Sequence, residues 1–450
     1  MPVELETVGV LEHDPLTRTE QVFYASSVLH QKSLLLTRFV EMNPLLQDLQ
    51  LSFRNVARQS RRSAMAIVAV TCGVVILLLA GGFIESNLHD MREATIASRL
   101  GHIQVSRPGY FQMGQSEPFS YLLPQDSEDR VAIEQLPGIK ITGARMSFGG
   151  LISHGESTIS FIGEGVEPDK EESLSSYLFI PKGKGLSLTE PKGIIMGLGL
   201  AANLGVDVGD TVVLMTSTRA GGINAVECRV RGLFSTVSKA YDDSALRLPI
   251  STARDLLRVS GSHVWVLLLD KTEDTQSVLS SLHSGFPEKS LEFVPWSDLA
   301  DFYNKTAVLL RKQLGVIETI IAIIILLSIA NTLMMSVVER TGEIGTAMAV
   351  GVTRAKIMRL FVLEGLLLGV GGCMVGLVLG SIAAYFISMI GIPMPPPPGM
   401  GHGFTAGILV TSGMLLNASF LAAGTTLLAS LYPAWRASRM VIVDALRFNR

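Results

Sequence analysis

SAMAIVAVTCGVVILLLAGGFI, running from Ser63 to Ile84, is 22 residues without a single charge. Crossing the ~30 Å hydrocarbon core of a bilayer takes about 20 apolar residues as helix, because backbone groups in lipid must bond to one another. The stretch is long enough to span. Three more such runs follow it: Val316 to Val338 carries only Glu318, Leu360 to Ile390 carries only Glu364, and Thr405 to Leu431 carries no charge. The first run begins too far from Met1 for a cleaved signal peptide and is not followed by a small-residue cleavage site, so it reads as a retained anchor.

Composition agrees with this reading. Of 450 residues, 48% are hydrophobic and 17% charged, with a mean hydropathy of +0.40, too apolar for an ordinary soluble enzyme of this length. The formal net charge of -3 implies no nucleic-acid partner. Cys72 and Cys373 fall in apolar runs, leaving Cys228 without a partner in the polar part, so no intrachain disulfide is expected.

Lys and Arg in the short flanking segments set the orientation. Arg54, Arg58, Arg61 and Arg62 precede the first run. Arg340, Arg354, Lys356 and Arg359 separate the second from the third, and Arg436, Arg439, Arg447 and Arg450 follow the fourth. These segments are expected in the cytoplasm, and the large polar segment and the Lys- and Arg-free connection 391–403 outside. The fold class expected is thus a polytopic α-helical membrane protein with four transmembrane helices and a large α+β extracytoplasmic domain inserted between helices 1 and 2. The layout is a cytoplasmic tail with an amphipathic segment (1–62), first span (63–86), periplasmic domain (87–313), second span (314–338), cytoplasmic loop (339–357), third span (358–390), periplasmic Pro-rich loop (391–404), fourth span (405–431) and cytoplasmic tail (432–450).

Within the inserted segment, near-alternate apolar residues predict a hairpin from Ile141 to His154 and Ser157 to Gly165. Gly197 to Leu204 suits a short helix, Val206 to Asp210 a tight turn, and Thr211 to Met215 a strand. Val264 to Leu269 is an apolar strand before a helical stretch, Thr272 to His283. Two subdomains are expected.

Motifs flank the spans. Glu339-Arg340-Thr341-Gly342-Glu343-Ile344-Gly345, with Ala349-Val350-Gly351-Val352-Thr353-Arg354, resembles the cytoplasmic loop of the MacB and FtsX permease family. Tyr432-Pro433-Ala434-Trp435-Arg436-Ala437-Ser438-Arg439 with Asp444-Ala445-Leu446-Arg447 is similar to that family's terminal signature, and Leu51-Ser52-Phe53-Arg54-Asn55 to the approach to its first span. Gly197 to Asp210 and Val294-Pro295-Trp296 are similar to stretches of its outside domain. Gly101-His102-Ile103-Gln104-Val105 resembles the lipoprotein-releasing LolC/LolE-like branch. The resemblance covers about Asn43 to Arg450. Residues 1–41 lie outside it and read as a cytoplasmic tail, with Met42 as the alternative start.

The resemblance implies an ABC transporter permease in the bacterial inner membrane. It would pair with a second permease, identical or related, and with an ABC ATPase subunit, in contact with membrane lipid and a periplasmic adaptor or lipoprotein carrier. The chain has no Gly-x-x-x-x-Gly-Lys-Ser/Thr loop, so it is read as no enzyme itself, with ATP and Mg bound by the partner ATPase and no cofactor bound here. Glu339, Arg340, Glu343, Ile344, Gly345, Gly351 and Arg354 would form the coupling segment that docks on that ATPase. The cargo implied is a lipoprotein, lipid-linked or hydrophobic compound, driven by mechanotransmission. The alternative is an FtsX-like regulator or sensor of cell-envelope processes that does not transport, and a third reading is a membrane-anchored periplasmic hydrolase.

Other features are expected to be structural. Gly365, Gly369, Gly372, Gly376 and Gly380 permit close helix approach, either within one chain or at a dimer seam. Glu364 lies near the basic loop, within reach of Arg359 or Arg340; Glu318 lies near the opposite end of its run. Pro395 to Pro398, with Met394, Met400 and His402, reads as a stiff turn rather than a soft-metal site. His102, His154, His263 and His283 lack metal-ligand spacing, and no catalytic triad or nucleophile elbow stands out. Ser175 is expected to be reachable from outside.

Overall fold

The computed structural model describes residues 44–114, 116–236, 238–286, 290–394 and 404–447. The expectations for residues 1–41, the Pro395 to Pro398 turn, Met400, His402 and Arg450 lie outside them. Helix α1 (Pro44–Arg58) leads into α2 (Ser60–Thr95), which ends in a π turn, Ile96–Leu100. Strands then follow in order: β1 Ile103–Ser106, β2 Ile139–His154, β3 Ser157–Val166, β4 Phe179–Gly183, β5 Gly193–Gly197, β6 Thr211–Ser217, β7 Ile223–Ser235, β8 Ala245–Pro249, β9 Val264–Leu269 and β10 Glu292–Pro295. The rest is α3 (Asp301–Glu339), α4 (Thr341–Ala349), α5 (Arg354–Ile390), α6 (Ser412–Ser438) and α7 (Ile442–Arg447).

Four of these helices are long and apolar enough to cross a membrane: Ser60–Leu100, Asp301–Glu339, Arg354–Ile390 and Ser412–Ser438. The first two hold 41 and 39 residues, roughly 60 Å at 1.5 Å per residue, about twice the hydrocarbon thickness. They exceed the expected spans 63–86 and 314–338 because nothing in Glu85 to Leu100 or in Asp301 to Gln313 breaks a helix: there is no proline. The fourth starts later than expected, at Ser412. The β-branched residues and glycine of Thr405-Ala406-Gly407-Ile408-Leu409-Val410-Thr411 are poor helix formers, and Phe404–Ala406 pairs as a short strand with Ile392–Met394. It also continues through Pro433 to Ser438, into what reads as a tail.

The chain divides into two compact units. One contains residues 44–77, 318–380 and 415–447, the other 78–317 and 381–414. In the first, α3 buries Ile321, Ile325, Ile329, Leu333 and Val337, one ridge at four-residue spacing, and exposes Ile320, Ile323, Ile324 and Leu327 on other faces.

In the second unit β1 to β10 join one hydrogen-bonded sheet, ordered β10-β1-β9-β2-β3-β8-β5-β7-β4, with β6 pairing both β2 and β7. Among the described residues one sheet runs through both expected subdomains without a break in hydrogen bonding. The 16-residue β2 prevents one: its first half pairs with β9, its second half with β3, and Leu151 to Ser153 also with β6. The pairings return to β2, so β2, β3, β8, β5, β7 and β6 make a closed ring. The predicted hairpin and the β6 strand are present, the latter alternating buried and exposed residues. β9 is buried throughout because it divides two cores. Trp265, Leu267 and Leu269 face the main core, and Val264, Val266 and Leu268 face a second one with Ile96 and Leu174.

Candidate functional site

Helix α1 places Asp48, Ser52 and Asn55 four and three residues apart, on one face. That polar face turns inward. Asp48, 1% exposed, pairs with Arg359 and, at 3.8 Å, with Lys356. Ser52 Oγ donates to the Leu360 carbonyl at 3.2 Å, and Asn55 Nδ2 donates to Glu364 Oε1 at 2.6 Å. Leu45, Leu46, Leu49 and Phe53 are left exposed.

The sequence-predicted segment joins this network. Arg340 Nη1 lies 2.9 Å from Glu364 Oε1, so of the two partners expected for Glu364 the structure selects Arg340, while Arg359 goes to Asp48. Arg340 Nε also lies 3.2 Å from Glu343 Oε2, and Arg58 Nη2 lies 2.5 Å from Glu343 Oε1. Glu339 pairs with Arg62. The hydrogen bond from Arg58 lowers the Glu343 pKa; partial burial opposes it and the Arg340 contacts add to it.

Helix α4 splits the predicted residues. Ile344 and Gly345 are buried, Ile344 in a cluster with Val337, Met348, Ile357, Phe361, Ala434 and Ala437. Glu343, Thr346 and Val350, at three- and four-residue spacing, share an exposed face, and Val350 is 82% exposed. Gly351 has φ of 106°, which L side chains rarely adopt; it ends α4, and the exposed Arg354 starts α5. Val350 stands in the loop motif but outside the expected coupling set, because an apolar residue in sequence does not show which way it faces. Only the α4 register turns it outward.

The glycines of α5 meet two helices of the same chain. A Cβ on Gly365 would lie 2.7 Å from Ser430 Cβ, and one on Gly369 2.6 Å from Thr426 Cγ2, both on α6. One on Gly372 would lie 2.6 Å from Val70 Cβ, and one on Gly376 2.7 Å from Val74 Cβ, both on α2. Gly380 is buried. Glu318 Oε1 accepts from Asn417 Nδ2 at 3.1 Å.

A second constellation, in the α/β unit, escaped the sequence reading. The last carbonyls of a helix have no intrahelical partner, and here the carbonyls ending the π turn are taken by side chains. Arg247 Nη2 donates to Ser98 O at 2.8 Å, Ser175 Oγ to Ser98 O at 3.2 Å, Arg145 to Arg99 O, and Gln104 Nε2 to Leu100 O at 2.9 Å. The two arginines are buried and neutralised. Arg247 Nη1 lies 2.8 Å from Glu171 Oε1 and its Nε 3.2 Å from Glu164 Oε2, while Arg145 Nη2 lies 3.0 Å from Glu171. Burial alone would raise the Glu164 pKa, but Arg247, Arg99 and Arg145 override it and hold it at about 2. Ser175 is correspondingly buried, correcting its expected accessibility. These residues lie far apart in sequence; the neighbouring strands β2, β3 and β8 set Arg145, Glu164 and Arg247 side by side, and the end of α2 and residues 168–175 close over them.

The buried histidines His102 and His263 are structural. His102 Nδ1 accepts from Leu269 N at 3.1 Å, and His263 Nδ1 from Ser147 N at 3.0 Å; burial pushes the His263 pKa down to about 4.

Four membrane-crossing-type helices, a mixed α/β unit and an ion-paired set of short helices define a polytopic, membrane-embedded permease-type protein. Residues 63–284 match the family described as MacB-like periplasmic core domain and residues 315–442 the family described as FtsX-like permease C-terminal, together more than three quarters of the chain. The chain belongs to the MacB/FtsX family of ABC transporter permeases. It is 25% identical over 330 residues to the lipoprotein-releasing system transmembrane protein LolE of Haemophilus influenzae, covering 68% of this chain and 77% of LolE. It is 26% identical over 303 residues to LolC of Neisseria meningitidis, covering 63% and 72%. Among solved structures, the periplasmic region of MacB from Actinobacillus actinomycetemcomitans aligns over 47% of this chain and 95% of that one, at 14% identity and a TM-score of 0.32. Permeases of this family imply an ATPase partner and usually a second permease.

Proposed function

We propose that this chain is the permease subunit of a lipoprotein-releasing type transporter in the bacterial inner membrane. Its termini and α4 would lie in the cytoplasm and its α/β unit in the periplasm. It binds no cofactor. A partner ATPase with ATP and Mg docks on the exposed face of α4, with Glu343, Thr346 and Val350 as contacts and Arg340, Ile344, Gly345 and Gly351 holding that face in register. Hydrolysis moves the α/β unit, which expels a lipoprotein or lipid-linked cargo towards a periplasmic carrier. The observation that carries the reading is the first span: one unbroken helix from Ser60 to Thr95, with a π turn at Ile96–Leu100 whose end is held by two buried arginines. A helix backbone held at its end by charge-assisted hydrogen bonds transmits displacement with little compliance. The relatives named for lipoprotein release support the cargo class. The spans offer few polar groups for a hydrophilic conduit: Glu364 is tied to Arg340 and Asn55, and Glu318 to Asn417.

The test is crosslinking the α/β units of two copies in a reconstituted ATPase–permease complex. Cargo release should stop while ATP binding persists. Release at the normal rate through a verified crosslink would overturn the mechanical reading.

A further inference from the structure

The α/β unit contains a cavity of about 610 Å³, within the ~300–1,000 Å³ of ordinary ligand sites. Its apolar wall includes Phe111, Phe148, Ile162 and Val264, and one side is stiffened by Tyr110, whose ring stacks on His263 at 5.3 Å between centroids. His263 is itself held by Ser147 N and Pro118 O, so this wall is already in place before any ligand arrives.

The charge on the walls is unbalanced. Arg99, Arg145 and Glu164 line the cavity, two cations against one anion. Behind them lie Arg247 and Glu171, the latter bridging Arg247 and Arg145, so three arginines face two carboxylates and the wider cluster keeps one surplus positive charge, on the side of Arg99. The carbonyl end of α2 offsets only about half a charge. The neighbouring titratable rings supply no anion: burial pushes the Tyr241 phenol up to about 12 and the Tyr110 phenol up to about 12. Arg145 is 4% exposed and its Nε has no hydrogen-bond partner, while the Arg99 side chain is 49% exposed. A partly desolvated surplus cation beside an apolar wall is costly alone and is relieved by an anion.

We propose that this cavity binds a single-chain anionic amphiphile, its chain against Phe111, Phe148 and Ile162 and its carboxylate or phosphate head at Arg99 and Arg145. The site goes beyond the coupling function and its occupancy does not depend on hydrolysis. The full chain in phosphatidylcholine nanodiscs, without ATPase, is irradiated with a photoactivatable palmitic acid or with the corresponding alcohol, and labelled peptides are mapped by mass spectrometry. The acid should label peptides containing Phe111, Phe148 or Ile162 at least ten times more than the alcohol does. Dodecyl phosphate should compete and inorganic phosphate should not. Ile162→Trp, at a half-exposed position, should fill the cavity, and Arg99→Gln should remove the head contact; both should lose the label, and Ile162→Trp should do so with Tm unchanged. Labelling confined to the four spans, equal labelling by the alcohol, or labelling indifferent to both variants would overturn the proposal. None of these results would bear on docking at α4.

Discussion

Arg247→Met tests whether the helix-end cluster holds the α/β unit together. The guanidinium is fully buried and serves Glu164, Glu171, Ser175 and the Ser98 carbonyl. Arg247, Arg99 and Arg145 together hold Glu164 at about 2 against an ordinary 4.5, with Arg247 the largest of the three; at about 1.4 kcal/mol per unit the joint effect is roughly 3 kcal/mol. That agrees with the ~3–5 kcal/mol lost when one partner of a buried ion pair is removed. For a unit of this size each kcal/mol moves Tm by about 2–4 °C, so the variant should melt roughly 6–12 °C lower. The pH dependence carries the sign. A carboxylate whose folded pKa is depressed contributes stability above its unfolded value of 4.5, lost as pH falls towards 2. Removing Arg247 raises the folded pKa, so acid unfolding should move to higher pH. Tryptophan fluorescence of the full chain in detergent reads both, since Trp265 is buried on β9. Adding Glu164→Gln should recover part of the loss and the acid shift. A Tm within 2 °C of the parent protein, with an unchanged acid midpoint, would refute the reasoning.

Val350→Asp should leave the protein inserted and its Tm unchanged, but cut ATPase co-purification several-fold; normal assembly would remove α4 as the docking face. Glu343→Gln should behave more mildly, because Arg340 keeps Glu364. Gly372→Leu should drive side-chain atoms into Val70 and the Ile67 carbonyl, with a Cβ already 2.6 and 2.9 Å from them, costing about 1–3 kcal/mol. Gly424→Ala, with nothing within 4 Å, should be neutral or gain up to about 1 kcal/mol; thermal melts in detergent compare the two. For topology, a Cys at the exposed Glu156 should react with an impermeant thiol reagent on intact cells and one at Thr353 should not. The reverse pattern would invert the orientation.

The four apolar helices, the β2–β3 hairpin, β6 and β9, and the family were legible residue by residue in the chain. Long uncharged runs and period-two alternation are local signals, set by bilayer thickness and strand geometry rather than by distant partners. The sequence also marked Glu339 to Arg354 and the α5 glycines, because charge and small size are visible residue by residue. What α5 glycines meet was decided by helix rotation: Gly365 and Gly369 turn to α6, Gly372 and Gly376 to α2. The start of the fourth helix at Ser412 was decided by pairing of Phe404–Ala406 with Ile392–Met394, a non-local contact invisible to hydropathy. Splitting the α4 segment into buried Ile344 and exposed Val350 needed its packing against Phe361 and Ala434. The helix-end cluster needed most, since Ser98, Arg145, Glu164, Glu171, Ser175 and Arg247 are ordinary polar residues in sequence. Only the pairing of β2, β3 and β8, with the end of α2 and residues 168–175 packed over their outer face, removes them from water, and burial turns their charges into strong, mutually dependent contacts.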